Sequence, residues 1–500
     1  MAVGRVATTR VATEPAGSVE RPDAVGPEGR RNGEGVSVSD VLEQLRKVVG
    51  DPYVLSGETV HADYTHDEAM TGNPVTPLAV VLPASTGDVV EILRTASERV
   101  IPVVARGSGT GLSGGCQPVA DGILIAFDRM RTIKEIDTEN QVAVVEPGVT
   151  LEDLDRALAP HGLIYPVSPG EQSASLGGNV ATNAGGMRAV RYGVTRHHVL
   201  GLEVVLADGT VMRTGGKFVK CSSGYDLTQL LIGSEGTLAV TTEITLKVQP
   251  RLAEAATVLA PFAELAHVAR AVPHIVSSGV DPSILEYIDV LAMEGITKSA
   301  DLDLGIPNEI KARAMAYLVV VLEGTQAARV EEDVERLATL LSDRGALDVF
   351  VLPSTAGARL ISAREKAFFV SKAAGADDIV DAVVPRAGIP DYLARVATLA
   401  GEHGALVTGC GHVGDGNVHL SIFLPDEDRR HALLQAIFDT AVAAGGAISG
   451  EHGIGVAKLD YFLESEDDVN LDLMRSIKGV FDPLGILGPD RLLGLAGTRP

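Results

Sequence analysis

Val104-Ala105-Arg106-Gly107-Ser108-Gly109-Thr110-Gly111-Leu112-Ser113-Gly114-Gly115 sets five glycines directly behind the apolar run 101–105. Such a run reads as a strand, and glycines at its exit let backbone N–H groups approach an anion with no side chain between. The stretch is therefore a candidate diphosphate cradle. A glycine-rich surface loop is the plainer reading, against which stand the strand in front and the Arg106 and Ser108 within it. It departs from the Rossmann fingerprint. No acidic residue closes a second strand about 20 residues on, as ribose recognition requires, so a nicotinamide cofactor is disfavoured.

Working outward, hydrophobic spacing predicts a helix over 40–49, a strand over 78–82, a helix over 86–99 and the strand 101–105, laid out as an α/β unit with short connections. Further strands are expected over 122–127, 142–145 and 202–206, with a helix over 151–161. After Lys247-Val248-Gln249-Pro250 the alternations lengthen. Helices over 262–278, 326–344 and 426–444 and strands over 316–322 and 418–424 fit a second α+β domain with an antiparallel sheet. The expected division is a disordered tail over 1–36, whose mixed composition buries too little to offset its ordering entropy, and a first domain over 37–250. A second domain follows over 251–465, and a C-terminal helical segment over 466–500 returns to the first.

Composition excludes several classes. The formal charge of -24, without a compensating run of Lys or Arg, argues against nucleic acid. No window has the roughly 18 uninterrupted apolar residues of a membrane span, and the start lacks a secretory core, so a cytoplasmic location is expected. Cys116, Cys221 and Cys410 lie too far apart for a zinc ribbon or a redox dithiol.

A second glycine cluster, Pro169-Gly170-Glu171-Gln172-Ser173-Ala174-Ser175-Leu176-Gly177-Gly178-Asn179-Val180-Ala181-Thr182-Asn183-Ala184-Gly185-Gly186, mixes hydroxyls and amides with the glycines, and Gly233-Ser234-Glu235-Gly236-Thr237-Leu238 adds a third turn. Two long loops of this kind suit a large cofactor. Together, in this order, the three stretches resemble the FAD-binding motifs of the vanillyl-alcohol oxidase superfamily, type 4 FAD-binding oxidoreductases. The resemblance runs from about residue 50 to the end. Within the superfamily the chain is most similar to glycolate oxidase flavin subunits, D-lactate dehydrogenases and D-2-hydroxyglutarate dehydrogenases. It implies an α+β fold, with a two-subdomain FAD-binding domain followed by a C-terminal α+β cap with an antiparallel sheet. It also implies that Arg106, Gly107, Ser108, Gly109, Thr110, Gly111 and Ser113 hold the diphosphate. Pro169, Gly170, Ser173, Ser175, Gly178, Asn179, Gly185, Glu235 and Gly236 would line FAD. The first loop has no His where covalently flavinylated relatives carry one, so FAD is expected to be non-covalent.

His412-Val413-Gly414-Asp415-Gly416-Asn417-Val418-His419 places two imidazoles at the ends of a turn that can bring both rings to one point, a plausible metal clamp. Glu451, in Gly450-Glu451-His452-Gly453, is the third ligand candidate. Two His and a carboxylate suit zinc foremost, and also manganese, cobalt or iron(II). If the segment is extended, His452 points away from Glu451 and suits a base facing the substrate. The same relatives carry these segments as a divalent-metal site with an adjacent His base. For the substrate carboxylate, the fork of an Arg is the preferred partner. Arg364 matches an Arg that contacts the carboxylate in the relatives, while Lys366 and Arg386 are weaker candidates. Asp377-Asp378-Ile379-Val380-Asp381 lacks the Lys of the D-2-hydroxyglutarate enzymes, and Leu487-Gly488-Pro489-Asp490-Arg491 stands where relatives carry Asn-Pro-Gly-Lys.

The expected activity is oxidation of a small D-2-hydroxy acid, lactate- or glycolate-like, to the 2-oxo acid. Expected partners are that acid, a separate electron acceptor (quinone, electron-transfer flavoprotein or partner subunit) that would bring the protein peripherally to a membrane, and a homodimer as one allowed assembly. Two rivals remain at this point. A metal-dependent hydrolase would use the same His and Glu set but leaves the glycine loops unexplained, and a non-catalytic flavin-binding subunit leaves the competent residues unused.

Overall fold

A computed structural model describes residues 37–493, and the expected tail over 1–36 lies outside them. Three large sheets organise the chain, with a two-stranded pairing of Leu163–Ile164 and Gln249–Pro250 beside them. The first runs Val54–Leu55, Ala79–Val81, Ile123–Ala126, Val103–Arg106, with the last three strands mutually parallel. Its central strands are buried on both faces, as parallel sheets require. Helix Thr86–Arg99 crosses over them, and its start is fixed by Ser85, whose side chain accepts from the Asp88 amide. It buries Val89, Ile92, Leu93 and Ala96 against the sheet.

The second sheet is antiparallel, in the order Ile133–Asp137, Val142–Val145, Val240–Lys247, Val199–Val205, Val211–Gly215. Every second residue of Val240–Lys247 is buried, which marks one face as core. Helices Leu151–Leu158 and Leu176–Thr182 contribute Leu154, Leu158, Leu176 and Val180 to that core.

The third sheet has seven antiparallel strands: Phe350–Leu352, Glu254–Phe262, Ala316–Gly324, Ile284–Asp289, Leu406–Gly411, Asn417–Phe423, Asp378–Val383. Helices Leu265–Ser277, Ala327–Asp343, Ile389–His403 and Glu427–Ala443 cover one face. Helices Val290–Ser299 and Ser354–Glu365 cover part of the other. The architecture is the expected α+β one, an FAD-type pair of subdomains with an antiparallel cap.

After helix Asp468–Phe481 the chain returns to the first sheet. The Val103 amide donates to the Ile486 carbonyl (2.7 Å), the Gly488 amide to the Val103 carbonyl (2.8 Å), and Ile486 and Leu487 join the core there. Lys478 clamps the return through the Thr237 and Leu487 carbonyls and Asp482. Among the described residues no helix is long and apolar enough to cross a membrane.

Two expectations change. Phe262 is not the start of a helix but the end of strand Glu254–Phe262, held by nine paired residues of Ala316–Gly324, and the helix begins at Leu265. The helix expected over 151–161 ends at Leu158, because Pro160 forces a tighter turn, Ala159–His161. Strands Ile284–Asp289, Asp378–Val383 and Leu406–Gly411 were not foreseen.

Candidate active site

The glycine loops of the first two subdomains and the far face of the seven-stranded sheet enclose a cavity of about 620 Å³. Its floor on the flavin side is shaped by missing side chains. A Cβ on Gly107 would overlap the Ser175 hydroxyl, which caps helix Leu176–Thr182 and accepts from the amides of Ser108 and Gly178, both at 3.3 Å. Gly109 (φ +77°) lies over the Arg106 guanidinium, which donates to the His66 carbonyl at 2.7 Å. The Asn179 Nδ2 is buried without a partner in the cavity wall. An open cradle of backbone amides with an unsatisfied donor beside it fits a diphosphate-bearing cofactor such as FAD.

The remaining flavin-side candidates divide. Gly107 to Gly111, Ser113, Pro169, Gly170, Ser175, Gly178, Asn179, Glu235 and Gly236 line the cavity with Arg106. Ser173 does not. It is exposed and donates to Glu171 instead. Gly185 stands behind Glu451, where a Cβ would come within 3.0 Å of Oε2, so its role is to admit that carboxylate. Glu235, at φ +52°, accepts from the Ile454 and Gly455 amides (2.7 Å each) and ties the third turn to the segment that carries Glu451 and His452. Burial raises its pKa, with those two amides pulling the other way.

On the cap side, the hairpin of Leu406–Gly411 and Asn417–Phe423 puts His412 in its turn and His419 opposite Cys410. Glu451 Oε1 lies 3.2 Å from His412 Nε2 and 3.3 Å from His419 Nε2, and its Oε2 is buried without a partner. One ligand atom from each residue falls within a 4.8 Å cluster. Behind them stands Glu286, fully buried in strand Ile284–Asp289, with His412 Nδ1 at 2.5 Å and Arg364 Nη2 at 2.8 Å. Burial alone would raise its carboxyl, but the His412 and Arg364 cations hold it below the ordinary range. Burial likewise opposes a charge on His412, and the Glu286 and Glu451 carboxylates on either side overcome it, lifting its pKa well above 6.5. A divalent cation would displace that proton.

Asp381 organises the rest. Its Oδ2 accepts from the Ser449 hydroxyl (2.8 Å) and from the amides of Gly450, Glu451 and His452 (3.1, 3.1 and 2.9 Å), and its Oδ1 from Asn417 Nδ2 (2.8 Å). Asp381, His419 and His452 also converge closely enough for a metal. Asp381 Oδ2 already accepts from four donors and Oδ1 from Asn417, whereas Glu451 Oε2 has no partner, so the open Glu451 carboxylate is the better ligand.

The segment is therefore not extended. It wraps around Asp381, and the His452 ring returns beside Glu451 (3.9 Å from Nε2 to Oε1), stacked on His419 at 5.1 Å between centroids. Burial, with Lys458 and His419 nearby, lowers the His452 pKa to about 4 against the pull of Asp381. The ring is neutral at neutral pH. Arg364 is buried and lines the cavity, whereas Lys366 and Arg386 are exposed and do not. Arg491 is buried too, donating to the carbonyls of Gly115 (2.8 Å) and Gln117 behind the first glycine loop.

Glu286 and Asp381 escaped sequence reasoning. The available signal was an acid set inside an apolar run, Ile284-Leu285-Glu286-Tyr287-Ile288 and Ile379-Val380-Asp381-Ala382-Val383.

Comparison with known proteins agrees with this geometry. Residues 77–215 match the FAD binding domain family, and residues 251–492 match the family described as FAD linked oxidases, C-terminal domain. An uncharacterized FAD-linked oxidoreductase of Mycobacterium tuberculosis is 52% identical over 91% of this chain and all of its own length. A D-lactate dehydrogenase of Anaerostipes hadrus and a glycolate oxidase subunit of Bacillus subtilis are each 35% identical over 91% of this chain, covering 97% and 96% of their own lengths. Among solved structures, p-cresol methylhydroxylase superposes with a TM-score of 0.78 at 19% identity, covering 95% of this chain and 99% of its own. That likeness concerns the fold. The chain belongs to the FAD-linked oxidase family, and it is an FAD-dependent oxidoreductase with a two-domain fold like that of p-cresol methylhydroxylase.

Proposed function

We propose that this oxidoreductase converts a D-2-hydroxy acid, of which lactate and glycolate are the simplest, to the 2-oxo acid. The observation that carries the reading is convergence: Arg364, the His412, His419 and Glu451 cluster and a neutral His452 all line the cavity that the glycine loops enclose. A cavity that holds the buried Arg364 and a neutral imidazole suits an anion that must lose a proton from a neighbouring hydroxyl. The D configuration rests on the name of the lactate relative.

In this reading the Arg364 fork binds the substrate carboxylate, and Glu286 fixes Arg364 by an ion pair and His412 by a hydrogen bond. His452 takes the hydroxyl proton at Nε2, since its Nδ1 faces Asp381 at 3.9 Å. Gly450, Glu451 and His452 keep their places because their amides share the Asp381 carboxylate. FAD, held by the glycine loops around Gly107, Ser175 and Asn179, would supply the acceptor for the C2 hydride. A divalent cation, zinc foremost, would be held by His412, His419 and Glu451 and would polarise the substrate hydroxyl. A separate acceptor, whether quinone, electron-transfer flavoprotein or partner subunit, then removes the two electrons.

The test is the anaerobic flavin spectrum of the purified protein during addition of D-lactate, glycolate and D-2-hydroxyglutarate, before and after chelation. Bleaching that chelation abolishes is the expected result. Bound flavin that no 2-hydroxy acid reduces would refute the reading.

A further inference from the structure

The substrate's side chain has its own seat, and the seat is apolar. Strand pairing sets the cap-side wall in rows that lead away from the reaction site. His419 stands opposite Cys410 and Asp381, Ser421 opposite Thr408 and Ile379, and Phe423 opposite Leu406. Side chains two apart on a strand share a face, so these rows form one continuous surface, and the cavity follows it from His419 to Phe423 and Leu406. Four residues of antiparallel strand span about 13 Å, several times the length of a lactate methyl.

Between His419 and the apolar pair Phe423 and Leu406 the row passes through the small hydroxyl side chains of Ser421 and Thr408, and the facing wall is apolar. Helix Val290–Ser299 contributes Leu291, and helix Ala367–Ala373 contributes Phe368 and Phe369. The two helices cross closely at Gly295, where a Cβ would stand 3.2 Å from Val370 Cγ1, so the wall is packed in place. At the mouth Leu291, Phe369 and Leu406 remain 49%, 42% and 52% exposed, an apolar rim that water wets unless a ligand covers it.

Charge is missing from the same surface. Outside the cluster of His412, His419, Glu451 and His452, the cationic side chains that line the cavity are Arg106, engaged with the His66 carbonyl, and Arg364, paired with Glu286. Lys372 shares the helix of Phe368 and Phe369 and lies 5.6 Å from the Phe368 ring centroid, but it pairs with Glu68 at 2.8 Å and does not line the cavity. Thr408 spends its hydroxyl on Asp289. A second carboxylate on the substrate would be buried along this wall without a counter-charge, which is costly.

We infer that the substrate is a 2-hydroxy monocarboxylic acid with an extended alkyl tail, a medium-chain 2-hydroxy fatty acid, whose tail lies along Ile379, Phe423 and Leu406 beneath Phe368 and Phe369. The inference rests on the dehydrogenase reading above and specifies its substrate. The chemistry is unchanged: the C2 hydrogen leaves as hydride to the flavin, the hydroxyl proton goes to His452, and the 2-oxo fatty acid is released.

The experiment is anaerobic stopped-flow bleaching of the metal-loaded flavoprotein with D-lactate, D-2-hydroxybutyrate, D-2-hydroxyhexanoate, D-2-hydroxyoctanoate and D-2-hydroxyglutarate. The second-order rate constant should rise about three- to fourfold per methylene, on the order of several hundredfold from lactate to the octanoate. Leu406→Asp and Phe369→Asp, both at exposed rim positions, should flatten that rise in protein whose flavin content matches wild type. A flat wild-type series, a rise that neither variant alters, or hydroxyglutarate outpacing every alkyl acid overturns the tail assignment and leaves the dehydrogenase reading standing. Failure of every acid to bleach the flavin refutes the dehydrogenase reading itself, and the tail assignment with it.

Discussion

Replacing Glu286 by Gln isolates one charge at constant shape. The carboxylate is completely buried and serves two cations, Arg364 at 2.8 Å and His412 at 2.5 Å. At an effective dielectric of about 20, a charge pair at the Arg364 distance attracts by about 6 kcal/mol, of which desolvation consumes a part. Gln can still accept one hydrogen bond, but it leaves the Arg364 guanidinium buried and uncompensated, and Nε of that side chain already lacks a partner. Breaking a buried pair in this way costs about 3–5 kcal/mol, a fall of roughly 6–20 °C in the unfolding midpoint of the cap. Because Glu286 also orients His412 from behind, Glu286→Gln should weaken the divalent cation by about 10- to 100-fold. Calorimetry of the FAD-saturated protein gives the first number and competitive titration against a chelating dye the second. A midpoint within about 2 °C of wild type, together with unchanged metal affinity, would refute the claim that Glu286 holds the site together.

Gly107→Val should empty the protein of flavin, because the new side chain would occupy the space of the Ser175 hydroxyl; the ratio of flavin to protein absorbance measures it. Asp381→Asn should lower the rate of flavin bleaching by about 100-fold while leaving flavin content intact, since one amide oxygen cannot replace a carboxylate shared by three backbone amides. Full activity in that variant would remove Asp381 from the positioning role. His198 is kept neutral by burial, with the Tyr192 carbonyl opposing, so its folded pKa is depressed. Below about pH 6.5 the unfolded chain therefore binds the proton more readily, and stability falls with pH through the folded pKa at up to about 1.4 kcal/mol per unit. Denaturant titrations at several pH values should show that slope reduced in His198→Asn, and equal slopes in the two proteins would count against the assignment.

What the sequence disclosed and what it hid follow from how each residue acts. Helix Thr86–Arg99 was legible to the residue because Ser85 caps it and its apolar spacing is regular. The glycine loops were legible because only glycine tolerates an overlap such as that at Gly107. The His412 and His419 hairpin announced itself through its turn residues. Glu286 and Asp381 stayed hidden for the opposite reason: an acid within an apolar run ordinarily marks a solvent face, and only partners remote in sequence, such as Arg364 and Gly450, make its burial tolerable. The direction of His452 was misjudged because an extended chain was assumed, whereas Asp381 curls the segment. Lys366 and Arg386 looked useful as cations near an anion site, yet which way a helix end or a turn faces depends on packing that local sequence does not encode.

The pairing of Val103 with Ile486 and Gly488 has a temporal meaning. The strand that delivers the chain into the first glycine loop is completed by residues that leave the ribosome long afterwards. At ribosomal elongation speeds of about 5–20 residues per second the interval is roughly 20–80 s, far longer than the time in which the intervening helices form. Throughout synthesis the nascent first subdomain therefore carries an open sheet edge and a glycine loop without its Arg491 support. The first glycine loop therefore gains its full support only when the C-terminal return has docked.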